Sequence, residues 1–420
     1  MEASTPVQNG GAKRIDRKAL IFIIITTCLS TIGFGLINPV APFLVTRYVT
    51  DPNSAGLVLG WLTSAYAICQ FIAAPGLGAL SDRYGRRPIL LICLLGSAVG
   101  YLLLGIGGAL WVLILGRVID GLTGGNFGVA FAYVADITPA DERGRYFGMI
   151  GAISGVALFL GPAIGGLLSK ISIEAPLFVA AGVTFANVLL GLFFMPESLP
   201  KEKRTTKVNI AELNPLSILT KVGAIAQIRA LLTVSFLIAL GFGAVGGIGL
   251  LTKDSLGWDA AATGSIFVVV GITDIVVQGV LLPRLLKRFS EAQVAIAGMV
   301  GEVIGLILIA SVVALHSPAV LLLGTFMFAM GDGLFGPSFN GLLARGVDAS
   351  AQGQVQGGNQ AVQSLAHIIG PLASGEMYDR LGHATPFISA SVIAGLAIAV
   401  TTMALPALKR ITKQTESMPA

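Results

Sequence analysis

Twelve apolar stretches dominate this chain, and each is long enough to cross the ~30 Å hydrocarbon core of a bilayer, which takes about 20 helical residues. They run near residues 19–46, 57–79, 89–109, 111–136, 146–169, 175–195, 230–252, 262–283, 291–314, 318–344, 354–377 and 384–406. Lipid offers a backbone no hydrogen-bond partners, so each stretch must satisfy its own groups as a helix. The expected fold is an all-α integral membrane protein. Composition agrees: 54% of the residues are apolar and only 12% are charged. Soluble chains carry about 25% charged residues, and with half of that this chain has too little charge to cover a water-facing surface. Disorder, a nucleic-acid-binding domain and a disulfide-stapled fold are disfavoured on the same ground. Cys28, Cys69 and Cys93 all lie inside apolar stretches and read as reduced packing residues. The segment Met1 to Lys18 is polar, and the first apolar stretch is longer than the about 7–15 residues of a signal-peptide core. It is expected to stay as the first span.

The segment between the sixth and seventh stretches, Pro196 to Arg229, is the one long polar interruption. It divides the chain into an N-tail (1–18), a six-helix bundle (19–195), a linker (196–229), a second six-helix bundle (230–406) and a C-tail (407–420). With the N-terminus inside, only Arg47, Lys170, Lys253 and Arg380 face outward and Arg117 is left in the membrane. The other 22 of the 27 Lys and Arg face inward. That bias follows the positive-inside rule and predicts cytoplasmic tails and linker in a plasma membrane, the inner membrane of a prokaryote.

The halves also repeat. Gly144, Gly148, Gly161, Pro162 and Gly166 recur as Gly353, Gly357, Gly370, Pro371 and Gly375, all at one offset of 209 residues. The fifth and eleventh helices are thus equivalent, and the architecture is two pseudo-symmetric six-helix bundles. Such duplications place a substrate path between the repeats.

Three motifs follow in order. Loop 2–3 reads Gly78-Ala-Leu-Ser-Asp82-Arg83-Tyr-Gly85-Arg86-Arg87-Pro, a tight turn carrying charges that can pair in one conformation and part in another. The fourth helix holds Gly116-Arg117-Val-Ile-Asp120-Gly. The fifth ends Gly161-Pro162-Ala-Ile-Gly165-Gly166, where small residues permit close helix approach and the proline disturbs the hydrogen-bond ladder. In this order the motifs resemble the major facilitator superfamily. More closely, the chain looks like its twelve-helix drug:proton antiporters, which include tetracycline and quinolone exporters. Supporting stretches are Gly33-Phe-Gly-Leu-Ile-Asn-Pro39-Val-Ala-Pro42, Ala135-Asp136-Ile-Thr-Pro and Gln352-Gly-Gln-Val-Gln-Gly357. The resemblance implies gating roles for Asp82, Arg83, Arg86, Arg87, Asp136, Gly161 and Pro162. It places Asp82 near the eleventh helix and pairs Arg86 with Asp136. A solvated charge cluster that only sets topology is the plainer reading of the loop.

Of the acidic residues, Asp120, Asp274, Glu302 and Asp332 lie well inside spans, with Arg117 as the one such base. Charges at this depth cost about 2.5–3.5 kcal/mol even on the mildest scales, so each is a functional hypothesis. Arg117 and Asp120, three apart on one helix face, read either as an internal salt bridge or as a pair that tunes proton exchange. Glu302 falls where the resemblance puts an essential aspartate of tetracycline exporters. Asp332 falls within a residue of an aspartate of quinolone exporters, and Asp274 has no such counterpart. His367 is a candidate proton relay. These six residues are the expected proton-coupling set, against the plainer reading of hydrogen bonds between helices. Asn38, Tyr66, Gln70, Asn126, Asp274, Phe335, Asn340, Asn359 and Gln363 are the expected substrate-binding set. The chain departs from the family pattern at Ser30, where related exporters carry an aspartate, and near Val245, where quinolone exporters carry a glutamate.

No P-loop and no HExxH occurs, so an ion gradient rather than ATP is the expected energy source. The function expected is proton-coupled efflux of lipophilic, cationic or zwitterionic small molecules by alternating access. A transporter of a sugar, amino acid or lipid, an uncoupled facilitator, and a non-transporting receptor remain as alternatives. The expected partners are a small-molecule substrate, protons and the bilayer. No enzyme activity, cofactor, metal or nucleic acid is expected, and the chain is expected to act as a monomer.

Overall fold

The computed structural model describes residues 17–139, 142–205, 214, 216, 219, 223, 228–345 and 352–416. Lys13 and Arg14 of the N-tail and Lys207 and Lys221 of the linker, used in the topology argument, lie outside the described residues. Among the described residues the secondary structure is helical, without strands. Spans 2, 3, 5 and 6 are the continuous helices Ala55–Tyr84, Arg86–Ile106, Arg143–Leu168 and Ala175–Phe194. Spans 9 to 12 are Glu291–Leu315, Pro318–Arg345, Gln352–Leu381 and Thr385–Glu416.

Four stretches expected as continuous helices are interrupted. Span 1 breaks between Arg17–Ile37 and Ala41–Val45, at Asn38-Pro39-Val40, where proline has no N–H to donate. Span 4 breaks between Leu110–Leu122 and Asn126–Ile137, at Thr123-Gly124-Gly125. Span 7 breaks between Arg229–Val245 and Ile248–Leu256, at Gly246-Gly247. In span 8 the helix Ala260–Val276 runs into a π-helical turn, Val277–Leu281, and then Leu282–Leu285. Pro283 lies just beyond and cannot donate back to the carbonyl four residues earlier. The breaks in spans 1 and 7 coincide at the same 209-residue offset that relates the glycine motifs.

Among the described residues, eleven spans are long and apolar enough to cross a membrane. Span 11 is too polar to qualify, with Gln352, Gln356, Asn359, Gln360 and Gln363 in its first half. It packs against span 2 of the other half and span 7 of its own, so protein replaces lipid along much of its surface.

The repeated glycines make the close approaches. In span 5, a Cβ on Gly161 would come within 2.8 Å of Gly35 Cα in span 1; on its equivalent Gly370, a Cβ would come within 2.7 Å of the Leu240 carbonyl oxygen in span 7. Between the halves, a Cβ on Gly166 would lie 2.8 Å from Gly264 Cα in span 8, and one on Gly56 in span 2 would lie 2.8 Å from the carbonyl oxygen of Gly375 in span 11. Only residues without side chains let backbones meet this way. Polar bonds reinforce the span 2–span 11 seam. Asp379 accepts from the backbone N–H groups of Gly56 at 2.9 Å and Leu57 at 2.7 Å, and Ser64 Oγ donates to the Ile368 carbonyl at 2.7 Å. The carboxylate thus satisfies two of the free donors at the start of span 2. Pro42 of span 1 meets Gly249 of span 7 on the same side.

On the opposite side, which carries loop 2–3 and the start of the linker, the halves part. Added Cβ atoms on Gly76 and Gly78 of span 2, or on Gly144, Gly148, Gly151 and Gly155 of span 5, would meet nothing within 4 Å. The bundle is closed at one end and open at the other.

A side chain at Gly375 should therefore prevent this end from closing. Gly375→Val is expected to insert normally and to slow transport at least tenfold. A cysteine at Thr63, further along span 2 from the seam, should become reactive to a membrane-impermeant maleimide from the side that is otherwise sealed. Unchanged labelling and transport would show that the seam tolerates a side chain.

Candidate functional site

Two chambers lie between the halves below the closed seam. The first encloses about 390 Å³ and is walled by Tyr66, Gln70, Arg117, Asp120, Asn126 and His367 among others. The second encloses about 320 Å³ and is walled by Asn38, Phe159, Phe267, Asp274, Thr325 and Asp332 among others. Leu59, Thr63, Phe242 and Gly246 belong to both walls. Gly246 sits at the break in span 7, so the break lies on the wall that the two chambers share.

In the first chamber Arg117 is 6% exposed and Asp120 2% exposed. Arg117 Nη1 lies 3.2 Å from Asp120 Oδ2, its Nε donates to the Leu62 carbonyl at 3.3 Å, and its guanidinium carbon stands 4.3 Å above the Tyr66 ring. The charge is thus matched by a carboxylate, a carbonyl and an aromatic face, which is how a buried arginine becomes tolerable. Phe34 packs on the same tyrosine, tilted, with ring centroids 5.6 Å apart. Gln70 donates from Nε2 to Tyr66 Oη at 3.1 Å and to the Gly124 carbonyl at 2.9 Å. Gly124 is in the span 4 break, so Gln70 caps a carbonyl that the helix cannot satisfy, as well as facing the chamber.

In the second chamber Asp274 Oδ1 accepts from Gln278 Nε2 at 2.7 Å. The carboxylate packs over Gly333, where a Cβ would come within 2.8 Å of Oδ1. Asp332 lines the same chamber as Asp274. Glu302 is 2% exposed, behind the chamber where spans 9 and 10 meet through Gly298, Gly301 and Gly331. Its Oε1 has no hydrogen-bond partner among the described residues.

The expected substrate set therefore divides. Tyr66, Gln70 and Asn126 line the first chamber, and Asn38 and Asp274 the second. Phe335, Asn340, Asn359 and Gln363 line neither. Phe335 is buried and stacks on Phe339 with centroids 5.1 Å apart, Asn340 is exposed, Asn359 is buried, and Gln363 donates to Ser235 Oγ at 3.1 Å. A polar or aromatic residue in a span faces one of several neighbours, and only packing selects which.

The loop 2–3 charges gather outside the chambers, at the open end. Arg86 bonds Asp136 Oδ2 through Nε at 3.1 Å, Asp82 Oδ1 through Nη2 at 2.6 Å and Ser81 Oγ through Nη1 at 2.6 Å. Asp82 pairs with Arg86 instead of with span 11 because the halves have parted on this side. Gly85, at φ 109°, makes the turn that folds Arg86 back. Arg83 lies over the Tyr84 ring, and Arg87 donates to the Leu192 carbonyl at 2.5 Å. Glu197, absent from the sequence expectations, accepts from the Arg86 backbone N–H at 2.8 Å and lies 3.6 Å from Arg204. It sits in the polar stretch after span 6, where no periodicity marks a residue as structural.

Comparison with known proteins settles the family. The profile of the Major Facilitator Superfamily matches residues 23–248 and again 231–419. The chain belongs to the major facilitator superfamily. Within it, the chain is similar to tetracycline and multidrug resistance proteins. It is 37% identical over 402 residues to the class C tetracycline resistance protein of Escherichia coli, covering 94% of this chain and 97% of that one. It is 28% identical over 387 residues to multidrug resistance protein 2 of Bacillus subtilis, covering 91% and 94%. The fold matches a bacterial homologue of the human lysosomal transporter Spinster, described as inward-facing and unoccupied, with a TM-score of 0.75, 14% identity, and 98% and 100% of the two chains covered. This facilitator is thus a multi-pass membrane transporter. Its two departures from the exporters' acidic pattern both fall on chamber walls: Ser30 lines the first and Val245 the second.

Removing one partner of the Arg117–Asp120 pair leaves a buried charge uncompensated. Asp120→Asn is expected to destabilise the protein by about 3–5 kcal/mol, read as thermal unfolding in detergent. The double variant Arg117→Met, Asp120→Leu should recover most of that loss. Equal destabilisation by the single and the double change would mean the pair's own attraction matters more than the stranded charge.

Proposed function

We propose that this facilitator is a proton-coupled efflux antiporter for lipophilic small molecules with cationic or zwitterionic character. The observation that carries the reading is a pair of chambers, closed at one end of the bundle and open at the other, with Asp120, Asp274 and Asp332 on their walls, Glu302 buried behind the second, and Arg117 as the one arginine among their lining. The similarity to tetracycline and multidrug resistance proteins supports efflux as the direction. The lysine and arginine bias supports placing the open end, with the tails and linker, at the cytoplasm of a prokaryotic inner membrane.

The cycle follows from these parts. With the chambers open to the cytoplasm, Tyr66, Asn126 and the apolar walls receive a substrate while the carboxylates are charged. The halves then rock about the glycine seams. The loop 2–3 cluster around Arg86 closes one end as the Gly56–Gly375 and Gly166–Gly264 contacts release the other. On the outer side, protons neutralise the carboxylates, the substrate leaves, and the protonated site returns. Asp332 and Glu302 are the proton carriers in this scheme. Asp274, Asp120 and His367 surround the path, and Arg117 holds Asp120 in place. Because a charge at this depth costs about 2.5–3.5 kcal/mol or more, loading and unloading a proton changes which end can close. Both halves of the path come from one chain, so a monomer suffices.

The test is tetracycline transport into inside-out vesicles with an imposed pH gradient. The parent chain is expected to accumulate the drug and to lose accumulation when the gradient is collapsed. Asp332→Asn and Glu302→Gln should each lower gradient-driven transport at least tenfold while drug exchange without a gradient persists. Transport indifferent to the gradient would assign an uncoupled facilitator. Full gradient-driven transport in both variants would assign these acids to packing.

A further inference from the structure

Spans 2 and 11 meet across the halves, and each is a helix of 30 residues, Ala55–Tyr84 and Gln352–Leu381. Their contacts pair Gly56 with Gly375, Gly60 with Pro371 and Ser64 with Ile368, so the two helices run antiparallel. The start of each therefore points the same way as the end of the other. Both carry an aspartate two residues before the last, Asp82 before Tyr84 and Asp379 before Leu381.

The start of span 2 has no cap of its own. Ser54 stands at the capping position, but its side chain accepts no N–H of the helix, and its hydroxyl donates to the Asp51 carbonyl at 2.8 Å. A capping side chain ordinarily accepts from the second or third helical N–H. Here those are Gly56 and Leu57, the two groups that Asp379 takes from the other half. A Cβ on Gly56 would come within 2.8 Å of Asp379 Oδ1, so the glycine makes room for the carboxylate. Span 8, the counterpart of span 2, is capped from within: Asp259 Oδ1 accepts from the Ala262 N–H at 2.7 Å. The residue equivalent to Asp379 at the 209-residue offset is Lys170, whose ammonium cannot accept a hydrogen bond. The span 5–span 8 seam thus has the glycine contact without this clasp.

Asp379 is also held firmly in its own half. Its neighbour Tyr378 is buried, donates to Asp254 Oδ2 of span 7 at 2.7 Å and stacks on His383 with centroids 4.4 Å apart. Arg380 pairs with Glu376 at 2.6 Å.

We propose that Asp379 is the positioning residue that latches the outer end, as the counterpart of Asp82 at the inner end. Asp82 holds the same place on span 2, but where the halves have parted it bonds Arg86. At either end a carboxylate can meet the free N–H groups and the positive dipole end of the facing helix. In this structure the outer one is engaged and the inner one is not. Opening outward breaks the Asp379 bonds and gives the Gly56 and Leu57 donors to water. The inference rests on the reading of the chain as an alternating-access exporter with its tails inside, and it assigns the residue that holds the inward-open state.

The experiment uses the full chain with its three cysteines changed to alanine and Thr63→Cys as the probe. Right-side-out vesicles are labelled from outside with a membrane-impermeant maleimide. Asp379→Ala is expected to raise the labelling rate at least fivefold and to lower the thermal unfolding temperature in detergent. Adding Ser54→Asp gives span 2 a cap from its own half. In that double variant the unfolding temperature should return towards the parent's while labelling stays at least fivefold above it, which separates a latch between halves from a helix cap. Labelling within twofold of the parent in Asp379→Ala would overturn the proposal. So would its return to the parent level in the double variant, since capping alone would then explain the effect. Should the single variant fail to insert, the double variant carries the same comparison with the parent. Gradient-driven tetracycline transport by inside-out vesicles of the parent distinguishes the two readings. If it depends on the gradient while labelling ignores Asp379, only the latch falls. If it is absent or indifferent to the gradient while labelling follows Asp379, the antiport reading falls and the latch stands.

Discussion

Two backbone-to-backbone contacts, Gly56 on Gly375 and Gly264 on Gly166, hold the halves together at one end of the bundle. Much else in the structure depends on them. Lipid gives no hydrophobic reason for two apolar helices to prefer each other, so close association must come from packing and from polar bonds. Glycine lets the helices approach until backbone atoms touch, and the Asp379 carboxylate fastens the span 2–span 11 seam by bonding the free N–H groups of span 2. Side chains add to it across the halves: Ser64 donates to the Ile368 carbonyl, and Pro42 and Phe159 pack on Gly249 and Gly271. In a transporter each end must close tightly and then release.

The second constraint is the cost of charge inside the membrane. The chain meets it differently in its two halves. In the N-terminal half Arg117 and Asp120 neutralise each other beside Tyr66, and the pair becomes part of a stable wall. In the C-terminal half Asp274 and Asp332 line the second chamber with no base among its described lining, and Glu302 is buried in the contact between spans 9 and 10. The asymmetry is notable because the backbones are pseudo-symmetric, down to the matching breaks in spans 1 and 7. Duplication supplied the frame, and the charged residues were distributed over it unequally.

The helix interruptions connect frame and site. Each puts backbone polar groups at membrane depth, which is tolerable where protein covers them or a cavity is lined. Gln70 answers the span 4 break by bonding the Gly124 carbonyl. The span 7 break at Gly246 lies on the wall that the chambers share, and the π-helical turn in span 8 brings Gln278 to Asp274. Loop 2–3 shows the same economy outside the membrane: Gly85 turns the chain so that Arg86 joins Asp82 and Asp136, with Glu197 holding its backbone.

Sequence alone determined the membrane location, the span positions, the duplication and the short list of buried charges. These follow from hydrocarbon thickness, from the solvation cost of ions and from a literal repeat, none of which needs coordinates. The Arg117–Asp120 pair was equally legible, because three residues along a helix is a fixed distance. Only the tertiary structure decided which polar residues face a cavity. It put Asn38 and Tyr66 on chamber walls, buried Phe335 and Asn359, and spent Gln363 on Ser235. The direction of a side chain around a helix depends on which neighbours pack there, and those neighbours lie far away in the chain. The same holds for Asp82: its partner depends on whether the halves are joined or parted at that end, a property of the conformation and not of the residues around it.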